Sequence, residues 1–165
     1  MKIKWVYLVV GFVILVLGSN LSTKNNKKYP ALPQQYLDDR ENFGKVNQFF
    51  TDAMNLTKPP NDSGESFDMP PDQQSKILSD LQEGVNLSKQ IDDGFLDYLD
   101  PSLKSNFRDK YVAGNELFME GLKSDTSDEK SIGVQKQLEG NKLIGEWISW
   151  WNKNRDNITN KAFAK

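Results

Sequence analysis

The stretch that decides the fold is PDQQSKILSDLQEGVNLSKQIDDGFLDYL, Pro71 to Leu99. Its apolar residues, Ile77, Leu78, Leu81, Val85, Ile91, Phe95 and Leu99, recur with small Ser88 at helical spacing, and nothing alternates with the period of two that a strand needs. Pro70-Pro71-Asp72 supplies a start signal, since proline fits a first helical turn and an acid complements the helix dipole. The spacing predicts one helix from about Pro71 to Leu99, with Gly94 the place where it would end early.

The same period extends in both directions. Upstream, Phe43, Val46, Phe50 and Ala53 mark one face of a helix from about Pro33 to Thr57. Downstream, Asp100-Pro101 reads as an N-cap followed by a first-turn proline, opening a stripe at Leu103, Phe107, Tyr111, Gly114, Phe118 and Leu122. Thr126 and Glu129 have capping-box spacing ahead of a fourth stripe, Val134, Leu138, Ile144, Ile148 and Trp151, continuing toward Ile158. Four amphipathic helices with short connections predict an all-α fold, an antiparallel four-helix bundle over residues 34–165. A three-helix core with an irregular arm is the alternative. Gly114 and Gly121, and again Gly133 and Gly140, lie seven apart, so each pair shares a helix face and is expected to let two backbones approach closely.

Ahead of this domain, the nineteen residues from Trp5 to Thr23 carry no charge and follow the basic start Met1-Lys2-Ile3-Lys4. Nine of the ten residues from Leu8 to Leu17 are Leu, Val, Ile or Phe, which favours bilayer insertion by about 3 to 5 kcal/mol. As a helix, residues 3–21 would reach about 28 Å, close to the hydrocarbon thickness. There is no A-x-A cleavage signal, and Val16-Leu17-Gly18 is the best small-residue site. Residues 1–23 are therefore read as a signal-anchor in preference to a cleaved signal peptide, and residues 24–33 as a polar tether. The expected location is a cell membrane, spanned once, with the C-terminal domain outside the cytoplasm. Secretion or a periplasmic location after cleavage is the alternative.

Composition excludes several chemistries outright. With no histidine and no cysteine there is no Ser-His-Asp triad, imidazole switch, disulfide or thiolate metal site. Removing Lys2 and Lys4 from the 21 basic residues leaves 19 against 23 acidic ones, a balance that argues against nucleic-acid binding. Asp92, Asp93, Asp97 and Asp100 gather acid at the end of the second stripe, and are expected to be solvated or paired with Lys89, Lys104 or Arg108 rather than to hold a metal ion. No cofactor, metal site or catalytic residue is expected.

Aromatic residues carry what remains. In Glu146-Trp147-Ile148-Ser149-Trp150-Trp151, Trp147 and Trp151 share a helix face while Trp150 points about 100° away from Trp151. Trp147 and Trp151 are expected to fill the core and Trp150 to lie at its edge. Trp147, Trp150 and Trp151 are also candidate partner or ligand contacts, as are Phe67 and Met69 in the turn-rich connection 58–70. The expected function is that of a non-enzymatic, membrane-tethered interaction module of a bacterial cell envelope, binding another envelope protein. The alternatives are a small-ligand-binding bundle with a pocket lined by Phe107, Tyr111, Trp147 and Trp151 and, further off, a carboxylate-based enzyme.

Overall fold

The stretch from Pro71 to Leu99 forms two helices rather than one, α2 (Pro71–Ser88) and α3 (Asp93–Leu99). A continuing helix would have Ser88 O accept from the amide of Asp92. Instead the Arg108 guanidinium donates to Ser88 O at 2.5 Å and to Ile91 O at 2.6 Å, and the Asp92 amide donates to Asp39 Oδ1 at 2.9 Å. Asp92 Oδ1 then accepts from the amides of Gly94 at 2.7 Å and Phe95 at 3.3 Å. Orphan groups at both helix ends thus find partners, which stabilises the break. Gly94 lies in the first turn of α3 and ends nothing.

A computed structural model of the chain describes residues 29–56, 70–124 and 127–164. Within them the chain is all-helical, without a strand. A single 3-10 turn, Gln34–Tyr36, leads into α1 (Leu37–Leu56). After α3, Asp100 is extended, and its Oδ1 accepts from the amide and hydroxyl of Ser102. This turn at Asp100-Pro101 starts a rod that runs unbroken through α4 (Leu103–Asn106), a π turn (Phe107–Val112) and α5 (Ala113–Leu122). The long final helix is α6 (Ser127–Ala162). Thr126, the expected cap, lies outside the described residues.

Cross-contacts give the directions. Asp39 meets Asp92, Phe50 lies against Gly84, and Gln73 Nε2 donates to Leu56 O at 2.5 Å, so α1 and α2 run antiparallel. Lys89 pairs with Glu116 at 2.9 Å while Gln74 reaches Leu122 O, which sets α2 against α5 in the same sense. Gly121 lies against Gly133 and Gly114 against Gly140, so α6 returns antiparallel to the rod.

At these crossings the glycine pairs let the backbones touch, as their spacing predicts. A Cβ on Gly140 would stand 2.5 Å from Gly114 O, and one on Gly121 would stand 2.5 Å from Gly133 O. The buried face of α6 accordingly runs through Gly133, Gly140, Ile144, Trp147, Trp151 and Ile158. Leu138, expected in the buried stripe, is 52% exposed. It stands about 160° from Gly140 on the helix, because glycine rather than leucine fills the contact there.

Phe43, Val46, Phe50, Ala53, Ile77, Leu81, Val85, Ile91, Phe95 and Leu99 are all buried in one core with Trp147 and Trp151. Leu32 belongs to it too, and the Tyr29 hydroxyl donates to Asn157 Oδ1. The last residues of the expected tether are thus docked on the domain. Among the described residues no helix is long and apolar enough to cross a membrane. The uncharged run Trp5–Thr23 lies outside them.

Candidate functional site

Three of the five candidate contact residues fall on α6, and the structure separates their roles. Trp147 and Trp151 are each 1% exposed, while Trp150 is half-buried. Trp147 is the hub: its ring stacks on Tyr111 with centroids 5.0 Å apart and on Trp151 at 5.4 Å, and it meets Phe107 at 5.9 Å. Trp150 lies against Trp147 at 5.4 Å from the outside, and Asn154 Nδ2 donates to its carbonyl at 2.8 Å. Only Trp150 of the three has surface to offer. Phe67 and Met69 lie outside the described residues.

Phe107, Tyr111, Trp147 and Trp151 occupy one another's space instead of enclosing a ligand. A recess beside Trp151, lined in part by Phe43, Phe95 and Phe163, has a volume of about 10 Å³ and suits no more than one water molecule.

Tyr111 brings a polar group into this aromatic layer. Its hydroxyl donates to Asn47 Oδ1 at 3.2 Å, and its carbonyl, in the π turn, accepts from Asn115 Nδ2 at 2.7 Å. Burial pushes the Tyr111 phenol well above the usual tyrosine value of 10.0. The folded chain therefore keeps a proton that the unfolded chain loses above pH 10, and stability falls as pH rises through that value. Urea unfolding of the wild type and Tyr111→Phe, compared at pH 8 and pH 11, should show the wild-type advantage shrinking by about 1.4 kcal/mol per pH unit above 10. A constant gap would mean that the phenol ionises freely in the fold.

The acidic residues at 92–100 serve the α2–α3–α4 corner. Asp92 caps α3, Asp100 caps the next turn, Asp93 accepts from Arg108 at 2.9 Å, and Lys104 lies 3.5 Å from Asp97. Among the described residues no group of three or more acidic side chains could hold a metal ion.

One surface feature was not read from the sequence. Ile132, Leu143 and Trp150 follow one another at 11 and 7 residues, which returns each to within about 20° of one heading on α6. Ile132 is 53% exposed, and Leu143 and Trp150 are half-buried. Their spacing is visible in the sequence, but it flanks the buried stripe too closely to be told from core without the packing. Two ion pairs beside it reach across to the rod, Lys136 with Glu120 at 2.8 Å and Lys110 with Glu146 at 3.5 Å. Exposed Glu139 falls within about 20° of the same heading between Ile132 and Leu143, so the strip mixes apolar and charged side chains, as the rim of a protein-binding surface does. No family model, curated protein or solved structure matches this chain.

Proposed function

We propose that this chain is a non-enzymatic interaction module of a bacterial cell envelope, held at the membrane by residues 3–21. On this reading α1, α2, the α4–α5 rod and α6 close into an antiparallel four-helix bundle outside the cytoplasm. The bundle binds another envelope protein through the α6 strip of Ile132, Leu143 and Trp150.

The observation that carries the binding half is the line of exposed Ile132 and half-buried Leu143 and Trp150 beside a solid aromatic core. A single exposed leucine is ordinary, whereas three apolar side chains on one heading over five helical turns, with charged Glu139 among them, give a partner helix or loop a mixed face to cover. The membrane half rests on the uncharged run Trp5–Thr23. The small-ligand alternative draws no comparable support, because the rings assigned to its pocket are in contact with each other.

A photo-crosslinking phenylalanine analogue placed at Ile132 in cells, with Ser149 as the control position, tests the reading. Ser149 is exposed and lies about 100° from Trp150 around the helix. The expected result is a discrete adduct from position 132 in the envelope fraction, none from 149, and a severalfold weaker adduct when Trp150→Ala is added. Circular dichroism would confirm that Trp150→Ala keeps its helical signal. No adduct from 132, or equal adducts from both positions, would sink the proposal.

A further inference from the structure

The chain enters the described domain at one particular end. Tyr29 is bonded to Asn157, five residues before α6 finishes, and Leu32 is buried just ahead of α1. The entry point therefore lies where α1 begins and α6 ends. From Thr23, the last residue of the uncharged run, to Tyr29 is six residue steps, at most about 20 Å of extended chain. Along α6, Leu138 lies 25 residues before Phe163, a separation of about 38 Å. Only one end of the domain is within reach of whatever holds the uncharged run.

That end carries an aromatic and cationic surface. Phe163 is 43% exposed, and the Arg40 guanidinium stands 5.4 Å from the centre of its ring. Lys161 lies 4.5 Å from the centre of the Tyr98 ring and donates to the Tyr98 carbonyl. Aromatic rings accompanied by lysine and arginine are the side chains that settle at the headgroup level of a bilayer. Of the acids nearby, Asp93 is paired with Arg108, Asp97 with Lys104, and Asp39 accepts from the Asp92 amide, while Asp38 and Asp156 are exposed, so the end is mixed in charge and Phe163 is its apolar point.

We infer that the end of the domain formed by the start of α1 and the finish of α6 rests on a bilayer surface, with Phe163 as its interfacial anchor. This rests on the membrane-tether reading above and adds the orientation of the domain: the α5–α6 turn points away from the lipid, and the Ile132 strip stands clear of it. The face offered to a partner is then held upright by the same short tether.

The absence of cysteine makes the test clean, because a single introduced cysteine is the only labelling site. The full chain, reconstituted in vesicles of phosphatidylethanolamine and phosphatidylglycerol, would carry an environment-sensitive fluorophore at Phe163→Cys, at Asp156→Cys or at Leu138→Cys. Lipids spin-labelled near the headgroup should quench the label at 163 severalfold more than the label at 138. The label at 156, on the same end and exposed, should follow that at 163. Equal quenching at 163 and 138 in protein that floats with the vesicles would overturn the orientation while leaving the tether. Failure of the full chain to float would overturn both.

Discussion

Gly140→Ala is expected to lower the stability of the domain by about 2 to 3 kcal/mol, the upper part of the range for overpacking a close contact. The new Cβ would stand 2.5 Å from Gly114 O and 2.9 Å from the Phe118 amide nitrogen. Both are backbone atoms of the rod, so no side chain can swing aside and the two helices must separate. Alanine is otherwise the better helix former by about 1 kcal/mol, and that gain is already set against the clash. Gly145→Ala supplies the control, since nothing lies within 4 Å of a Cβ there. It should raise stability by about 0.5 to 1 kcal/mol. Adding Gly114→Ala to Gly140→Ala should cost less than it does alone, because helices already forced apart leave room for the second methyl. Urea midpoints of the wild type, the three single variants and the double variant decide the matter. A neutral Gly140→Ala would mean that the helices do not touch where they are placed.

Trp147→Ala should cost about 3 to 5 kcal/mol, the range for removing a large buried aromatic side chain. Its indole touches Tyr111, Phe107, Trp151 and Trp150 at once, so the loss spreads through the layer that joins α6 to the rod. Domains of this size are stable by only about 5 to 15 kcal/mol, so the variant stands close to unfolding at ambient temperature. Trp147→Phe retains part of the ring contact and should lose less than half as much. Near-ultraviolet circular dichroism reports the same event, because the coupled signal of the stacked Trp147 and Trp151 rings disappears with either. A Trp147→Ala protein that kept its wild-type unfolding midpoint would overturn the account of this core.

Helix existence was legible because apolar stripes declare themselves. Phe43, Val46, Phe50 and Ala53 are buried as their spacing requires, and so are Leu103, Phe107, Tyr111, Gly114, Phe118 and Leu122. The break between α2 and α3 was not legible, for two physical reasons. The stripe continues across it, with Ser88, Ile91, Phe95 and Leu99 all buried, so periodicity gives no sign of interruption. Its cause is also remote, since Arg108 supplies the hydrogen bonds from 17 and 20 residues away. On α6 the error has the opposite origin: hydropathy points to Leu138, whereas the tight contact is made by glycines, which carry no hydropathy signal at all. The tryptophan cluster was readable from angles alone, with Trp147 and Trp151 inside and Trp150 at the edge. What angles do not give is that Trp150 and Ile132 share a usable surface, because that depends on which neighbouring helix leaves them uncovered.

The π turn at Phe107–Val112 has a consequence for chain length. There the Ala113 amide reaches back five residues, to Arg108 O, instead of four, so the rod holds one residue more than an α-helix of the same rise. Elsewhere in α5 or α6, losing one residue would turn everything downstream by about 100° and carry Gly121 or Trp151 off its partner. Within the π turn the same loss returns the backbone to ordinary α-helix, and the surplus is absorbed without turning Phe118 and Leu122. Asp109 is the exposed residue best placed to be that spare one. The rod thus has a single slack point at which a one-residue change in length leaves both of its ends in register with α6.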